Sequence, residues 1–85
     1  MMISLSMNDK LILMQYAIDK YDSENVLKEK LKGTLSQKEI ERTIDTLIGT
    51  QKVRRIGADV LQNNVGHMGE LQDLPDHLKS ILDNL

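Results

Sequence analysis

Residues 35–48 read LSQKEIERTIDTLI and contain the strongest structural signal in the chain. Ser36 and Glu39 have the Ser-x-x-Glu spacing of a capping box, in which each side chain accepts from the other residue's backbone N–H, so a helix is predicted to begin after Ser36. Apolar residues at 40, 44, 47 and 48 then repeat with the period of one buried helical stripe. The opposite face carries Lys38, Arg42, Asp45 and Thr46. The pattern predicts an amphipathic helix with two cations one turn apart in water, Arg42 being nearest the centre of the face.

A basic β-hairpin is predicted after this helix. Gly49 and the polar residues 50–52 end the helical pattern, and residues 53–61, VRRIGADVL, place β-branched residues on both sides of a glycine. Such runs around a glycine turn are typical of a short hairpin. Neighbouring strand residues point to opposite faces, so Arg54 and Arg55 should lie on different sides of it.

Two helices are predicted before the capped one. The first, over about 8–21, has Ser6 or Asn8 as its cap and is apolar around most of its circumference, so it is either central to the domain or part of a dimer interface. The second begins at Asp22 or Ser23 and stops near Gly33. The tight turn between it and the capped helix indicates a helix-turn-helix. Residues 1–7 alternate in polarity, which permits a short strand or an extended arm.

The C-terminal part is predicted to be a linker followed by one last helix. Residues 62–73 are polar and glycine-containing, and Pro75 suits the first turn of a helix. Its apolar stripe consists of Leu78, Ile81, Leu82 and Leu85. The stripe either packs on its own core or pairs with a second copy; we expect a homodimer, because a two-fold pair would cover both this stripe and the first helix. The predicted organisation is a domain over 1–65, then a linker and dimerisation helix over 66–85.

Composition restricts the class of protein. At 85 residues the chain forms one domain, with 40% hydrophobic and 28% charged residues and no apolar run long enough for a membrane span. No cysteine is present, which favours a reducing compartment, and we expect a cytoplasmic protein with no membrane association. The net charge is −2, yet residues 49–65 carry a surplus of +2 and residues 66–85 a surplus of −3. The positive surplus lies on the predicted hairpin.

The order of helix, helix, tight turn, capped helix and basic hairpin resembles the winged-helix variety of helix-turn-helix DNA-binding domains. The resemblance covers residues 26–61, including Ser36, Ile40, Arg42, Ile44 and Leu47, and then the Val-Arg-Arg run at 53–55. It implies a fold that is mostly α with a small β-hairpin, a winged helix-turn-helix with an added C-terminal helix. By this resemblance, the helix at 37–48 enters the major groove of double-stranded DNA, and the hairpin at 53–62 lies along the backbone or the minor groove.

The resemblance implies a set of DNA contacts: Gln37, Lys38, Arg42, Thr46, Lys52, Arg54 and Arg55. Three of them have a simpler alternative: Arg42 can pair with Asp45 three residues on, and the two hairpin arginines can be solvated charges that protect a sheet edge. Three carboxylates, Glu39, Glu41 and Asp45, oppose phosphate binding by this helix. The leading function implied by the resemblance is that of a small sequence-specific transcriptional regulator acting as a dimer. The alternative is a protein-interaction module of the same fold that binds a protein partner.

No pattern indicates catalysis, a cofactor or a metal. Serine, histidine and carboxylate residues show no nucleophile or paired-acid arrangement. His67 and His77 lack ligand spacing and are expected to be ordinary surface histidines. The lysines at 28, 30 and 32 are expected to form a solvated face. The sequence thus predicts a binding protein and not an enzyme.

Overall fold

A computed structural model describes residues 5–64 and 73–85, which form four helices and a two-stranded sheet. The elements are α1 (Met7–Lys20), α2 (Glu24–Leu31), α3 (Gln37–Gly49), β1 (Val53–Arg55), β2 (Leu61–Asn63) and α4 (Asp76–Asp83). The prediction of a mostly helical fold with a small hairpin is confirmed. Residues 65–72 of the predicted linker, with His67, and residues 1–4 of the predicted arm lie outside the described residues. Gln62 and Asn63, predicted to begin that linker, instead belong to β2 because they pair with β1. Leu5 is buried, and α1 begins at Met7.

Serine side chains set the starts of the first three helices. Ser6 accepts from the N–H of Asp9 at 3.1 Å and Ser36 accepts from the N–H of Glu39 at 3.1 Å, each in a complete capping box. Ser23 accepts from the N–H of Val26 at 3.3 Å. Each serine satisfies a backbone donor that the helix itself leaves open. The helix starts predicted from sequence are confirmed.

The end of α3 is shaped by Gln51, a non-glycine residue with φ of 64°. Its N–H donates to the carbonyl of Ile48 at 3.0 Å, and the N–H of Lys52 donates to the carbonyl of Leu47 at 2.9 Å. These two bonds around a left-handed residue make up a Schellman motif, which satisfies the last carbonyls of the helix. The motif reverses the chain directly into β1.

The hairpin is short and is attached to the start of α2. In the antiparallel register Val53 lies opposite Asn63, and Arg55 lies opposite Leu61. Beyond the strands, Val60 forms a single bridge with Ser23, and the N–H of Leu61 donates to the carbonyl of Asp22 at 2.8 Å. The segment between α1 and α2 thus adds a third, one-residue edge to the hairpin.

One apolar core connects these elements, and α1 is central to it because it packs against α3, β2 and α4. The buried members are Leu5, Ile12, Leu13, Met14, Ala17, Ile18, Leu27, Leu31, Leu35, Ile40, Ile44, Leu47, Val53, Leu61 and Leu78. The amide of Asn63 ties β2 to α1 by donating to the carbonyl of Gln15 at 2.7 Å and to the carboxylate of Asp19 at 2.9 Å. None of the described helices has the length and apolar character needed to cross a bilayer.

The last helix packs against α1 and contacts it at both ends. His77 Nε2 lies 3.3 Å from a carboxylate oxygen of Asp9 in the first turn of α1. At the other end, Lys20 Nζ donates to the carbonyl of Leu82 at 3.2 Å, and the Tyr21 hydroxyl donates to the carbonyl of Leu85 at 3.0 Å. The apolar side of α4 faces its own domain, where Leu78 is buried in the core.

The apolar stripe of α4 was predicted as a dimer contact, and for Leu78 this prediction needs correction. Leu78 is fully buried within a single chain, at 0% exposure. Ile81, Leu82 and Leu85 are half-buried and pack against the same core. Leu78 belongs to the core because α4 docks on α1, and a second copy could contact it only if α4 left that position.

Candidate nucleic-acid interface

Helix α3 divides into a buried and an exposed side. The buried residues are Ile40, Thr43, Ile44 and Leu47. At about 100° per residue, Lys38, Arg42 and Asp45 lie within roughly 30° of the direction opposite that side, and all three are exposed. Thr46 lies roughly 70° from it and is half-buried. The outermost row of the helix is therefore two cations and one carboxylate.

Lys38 and Arg42 lie on the ridge between two grooves. The first groove, of about 250 Å³, runs between α1 and α3 and is lined by Met7, Lys10, Lys38, Glu39, Arg42 and Thr43. The second is more open, about 510 Å³, and is lined by Lys38, Glu41, Arg42, Asp45 and Thr46. Because both cations border both grooves, a ligand approaching α3 from either side meets them.

Lys38 and Arg42 have no charged or hydrogen-bonding partner within the described part of the chain. Neither side chain forms an ion pair or hydrogen bond with residues 5–64 or 73–85. The pairing of Arg42 with Asp45, which the sequence left open, is not formed. Lys38 and Arg42 can thus neutralise an external anion without first losing a described internal partner.

Glu39 is the first of the three α3 carboxylates that opposed DNA binding in the sequence. Lys10 Nζ lies 2.7 Å from Glu39 Oε2, and Oε1 accepts from the N–H of Ser36 at 3.0 Å. The bond from Lys10, followed by that from the backbone of Ser36, lowers the pKa of Glu39 to about 2. Both oxygens have donors, so the negative charge of Glu39 is balanced by a cation from α1.

Glu41 is balanced in the same way from α2. Its Oε1 lies 3.5 Å from Lys28 Nζ, and the same atom accepts from Gln37 Nε2 at 3.3 Å. This contact also places Gln37, a predicted DNA contact, in an interaction within its own helix. Two of the three opposing carboxylates are therefore paired, and only Asp45 has no partner among the described residues.

Thr46 was predicted to contact DNA, and the structure gives its hydroxyl another role. The Thr46 hydroxyl donates to the carbonyl of Arg42 at 2.8 Å. A hydroxyl carries one hydrogen, so only its acceptor lone pairs remain for a ligand. Sequence reasoning placed both Thr46 and Asp45 on this face but included only Thr46 among the predicted contacts, although Asp45 is the more central of the two.

The two hairpin arginines differ in their surroundings. Arg54 is exposed and has no partner in the described ranges. Arg55 Nη2 lies 2.7 Å from Oε1 of Glu24 and forms an ion pair with it. This oxygen is buried and accepts no hydrogen bond of good geometry. Lys52, also a predicted contact, is half-buried at the start of the hairpin. Arg54 is consequently the hairpin cation that is open to a ligand, whereas Arg55 already neutralises Glu24.

Sequence reasoning missed the contacts that attach the hairpin loop to α2. Glu24 also pairs with Lys28 at 3.3 Å. The carboxylate of Asp59 accepts from the Ser23 hydroxyl and from the N–H of Asn25, the latter at 2.9 Å. The Ser23 bond, followed by the Asn25 bond, holds the pKa of Asp59 below its ordinary value. A residue far along the chain therefore caps α2, which no local spacing could indicate.

The contacts at α2 and α3 form a continuous chain of charges from the hairpin to the exposed helix. Arg55 pairs with Glu24, Glu24 with Lys28, and Lys28 with Glu41. The first ion pair joins β1 to α2, the second lies within α2, and the third joins α2 to α3. These ion pairs connect β1 to α3 through α2.

The described residues hold no group of three or more histidine, cysteine or acidic side chains that could bind a metal. No protein-family model, curated protein or solved structure matches the chain.

Proposed function

We propose that this protein is a winged-helix DNA-binding protein that places the outer face of α3 in the major groove of duplex DNA. The observation that carries the proposal is the pair Lys38 and Arg42, which are exposed one turn apart and have no partner in the described chain. Their acidic neighbours Glu39 and Glu41 are neutralised by lysines from other helices. The local charge of α3 is therefore more favourable to phosphate than the net charge of −2 suggests.

Physical dimensions support this use of α3. The major groove of B-DNA is about 12 Å wide and admits one α-helix. Charges beyond a Debye length of about 8 Å are largely screened at physiological salt, so the acidic residues elsewhere in the chain weaken the interaction only slightly. Arg54 is the hairpin residue that we assign to the DNA backbone. Arg55 holds the hairpin in place through Glu24.

Binding to duplex DNA at two salt concentrations tests the proposal. We expect affinity to fall steeply between about 50 and 200 mM salt, because phosphate contacts release counterions. The double variant Lys38→Gln/Arg42→Gln should lower the magnitude of the salt slope by about 0.9 if only Lys38 contacts a phosphate and Arg42 contacts a base, and by about 1.8 if both cations contact phosphates. The matched control Lys30→Gln/Lys79→Gln removes the same charge from exposed positions on α2 and α4. Equal losses in both double variants would contradict the assignment to α3.

The biological role that we propose is transcriptional regulation, as the sequence resemblance implies. A homodimer remains a prediction. Ile81, Leu82 and Leu85 are only partly covered and offer some apolar surface to a second copy, but Leu78 does not. Light scattering over a range of protein concentrations measures the oligomeric state directly.

A second candidate, a module that binds a protein partner, is favoured by one observation. Met7 is 45% exposed and lines the α1–α3 groove beside Lys38 and Arg42. An apolar side chain next to two open cations suits an acidic amphipathic segment. If duplex binding is absent at low salt, or hardly changes with salt, this candidate replaces DNA binding.

A further inference from the structure

The remaining carboxylate on the outer face of α3 is Asp45. It is exposed and lines the open groove with Lys38, Arg42 and Thr46. In contrast to Glu39 and Glu41, it accepts no hydrogen bond and forms no ion pair with a residue of the described ranges. It is also nearer the centre of the exposed face than Thr46. A helix that only held phosphates would gain nothing from a carboxylate at this position.

We infer that Asp45 is a specificity-determining residue that accepts a hydrogen bond from the N4 amino group of a cytosine in the major groove. The inference rests on the proposed function of α3 in binding duplex DNA. Carboxylates in the major groove pair with the amino donor of cytosine, just as arginine pairs with the O6 and N7 acceptors of guanine. Guanine presents acceptors and thymine presents an acceptor and a methyl group, so each of these bases is disfavoured beside a carboxylate. Adenine presents an amino donor at N6 next to an acceptor at N7 that repels a carboxylate, so it is a weaker partner than cytosine.

The spacing on the helix supports a joint reading of neighbouring base pairs. Asp45 follows Arg42 by three residues, a rise of about 4.5 Å along the helix axis, and successive base pairs are about 3.4 Å apart. Arg42 and Asp45 share one side of the helix without pairing with each other. A guanine read by Arg42 and a cytosine read by Asp45 would therefore lie at adjacent or nearly adjacent positions of the site.

The same carboxylate explains how an acidic helix face can discriminate between duplexes. An unpaired Asp45 opposes the phosphate backbone at every sequence. At a site with cytosine in the correct position, the amino donor compensates for that unfavourable contribution. Asp45 then raises specificity at the expense of overall affinity, because it disfavours duplexes that lack cytosine at this position.

Selection from a randomised duplex pool, followed by anisotropy titrations, tests the inference with the full chain. We expect the wild type to select a site with one cytosine whose replacement weakens binding about 5- to 150-fold, the range of a single mismatched pair. Asp45→Ala should bind random duplex more tightly and reduce discrimination at that one position to about threefold or less. Asp45→Asn should shift the preference there toward adenine, because an amide pairs with adenine N6 and N7. Asp83→Ala, which removes one exposed carboxylate from α4, is the matched control and should keep the wild-type base preference.

The outcomes separate this inference from the proposed function. If Asp45→Ala binds every duplex more tightly but retains all wild-type base preferences, Asp45 is only a repulsive surface charge, and the inference is wrong while DNA binding stands. If the wild type binds no duplex, both are wrong. Circular dichroism of each variant checks that the helical content is unchanged.

Discussion

Nη2 of Arg55 lies 2.7 Å from Oε1 of Glu24, so the hairpin is joined by charge to the first turn of α2. The Glu24 side chain is only 17% exposed, and it holds Lys28 at the same time. Two adjacent arginines in one strand thus have different tasks: Arg55 positions the hairpin, and Arg54 remains open to solvent.

The first prediction separates these two tasks. Arg55→Gln should lower the free energy of unfolding by about 1 kcal/mol, the upper range for a partly exposed ion pair. Arg54→Gln should change it by less than about 0.5 kcal/mol, as is usual for exposed positions. In DNA titrations Arg54→Gln should lower the salt slope by about one. Urea unfolding and anisotropy measure the two quantities, and the reverse order of stability effects would contradict the assignment.

The second prediction concerns Arg42. If its guanidinium pairs with a base edge, Arg42→Ala should cost about 1–3 kcal/mol in binding to the selected site and much less on random duplex. Lys38→Ala should weaken both duplexes to a similar extent, because an ammonium acts as a point charge on phosphate. Equal losses on both duplexes for Arg42→Ala would reassign it to the backbone.

The third prediction concerns the left-handed residue at the end of α3. Gln51 has φ of 64°, a conformation that costs a residue with a Cβ about 1–2 kcal/mol but is open to glycine. Gln51→Gly should therefore stabilise the fold by roughly 0.5–1 kcal/mol after the extra entropy of glycine in the unfolded chain is subtracted. Thr50→Gly, at a φ of −93°, is the control and should destabilise. Thermal unfolding compares the two, and a lower midpoint for Gln51→Gly would show that the glutamine side chain matters more than its backbone strain.

The fourth prediction is a pH dependence caused by Glu39. Its pKa is lowered from 4.5 to about 2 in the folded protein, so the unfolded state binds the proton more readily. The contribution of this carboxylate to stability is complete above pH 4.5 and disappears as the pH falls to about 2. Glu39→Gln should be less stable than wild type near neutral pH, and the difference should shrink through that interval. Melting curves from pH 2 to 7 test this, with Asp83→Asn as the control for loss of one charge.

The fifth prediction distinguishes a core role for α4 from a dimer role. Leu78→Ala should cost about 2–5 kcal/mol, the usual range for a fully buried leucine, because Leu78 is buried within one chain. Ser80→Ala, an exposed change on the same helix, should cost less than about 0.5 kcal/mol. A Leu78→Ala protein that melts like wild type but has half its mass in solution would show that Leu78 lies in a dimer interface after all.

Local sequence was sufficient to predict where three helices start and which residues form the outer face of α3. A serine cap depends on a bond to an N–H three residues away, and the exposure of Lys38 and Arg42 follows from helical period alone. The hairpin was likewise predictable, since its β-branched residues and glycine lie within nine positions. For the same reason, the boundaries of these elements agree with the structure to within a residue or two.

Tertiary structure alone decided which charged side chains form ion pairs and which remain unpaired. Three carboxylates looked equivalent along α3, but Lys10 from α1 neutralises Glu39, Lys28 from α2 neutralises Glu41, and neither reaches Asp45. Arg54 and Arg55 were equally good candidates until Glu24 paired with one of them. The apolar stripe of α4 could cover its own core or a second copy, and Leu78 covers its own. Each of these outcomes depends on a partner 13 or more residues away in sequence, whose approach is set by packing around α1 and not by any local spacing.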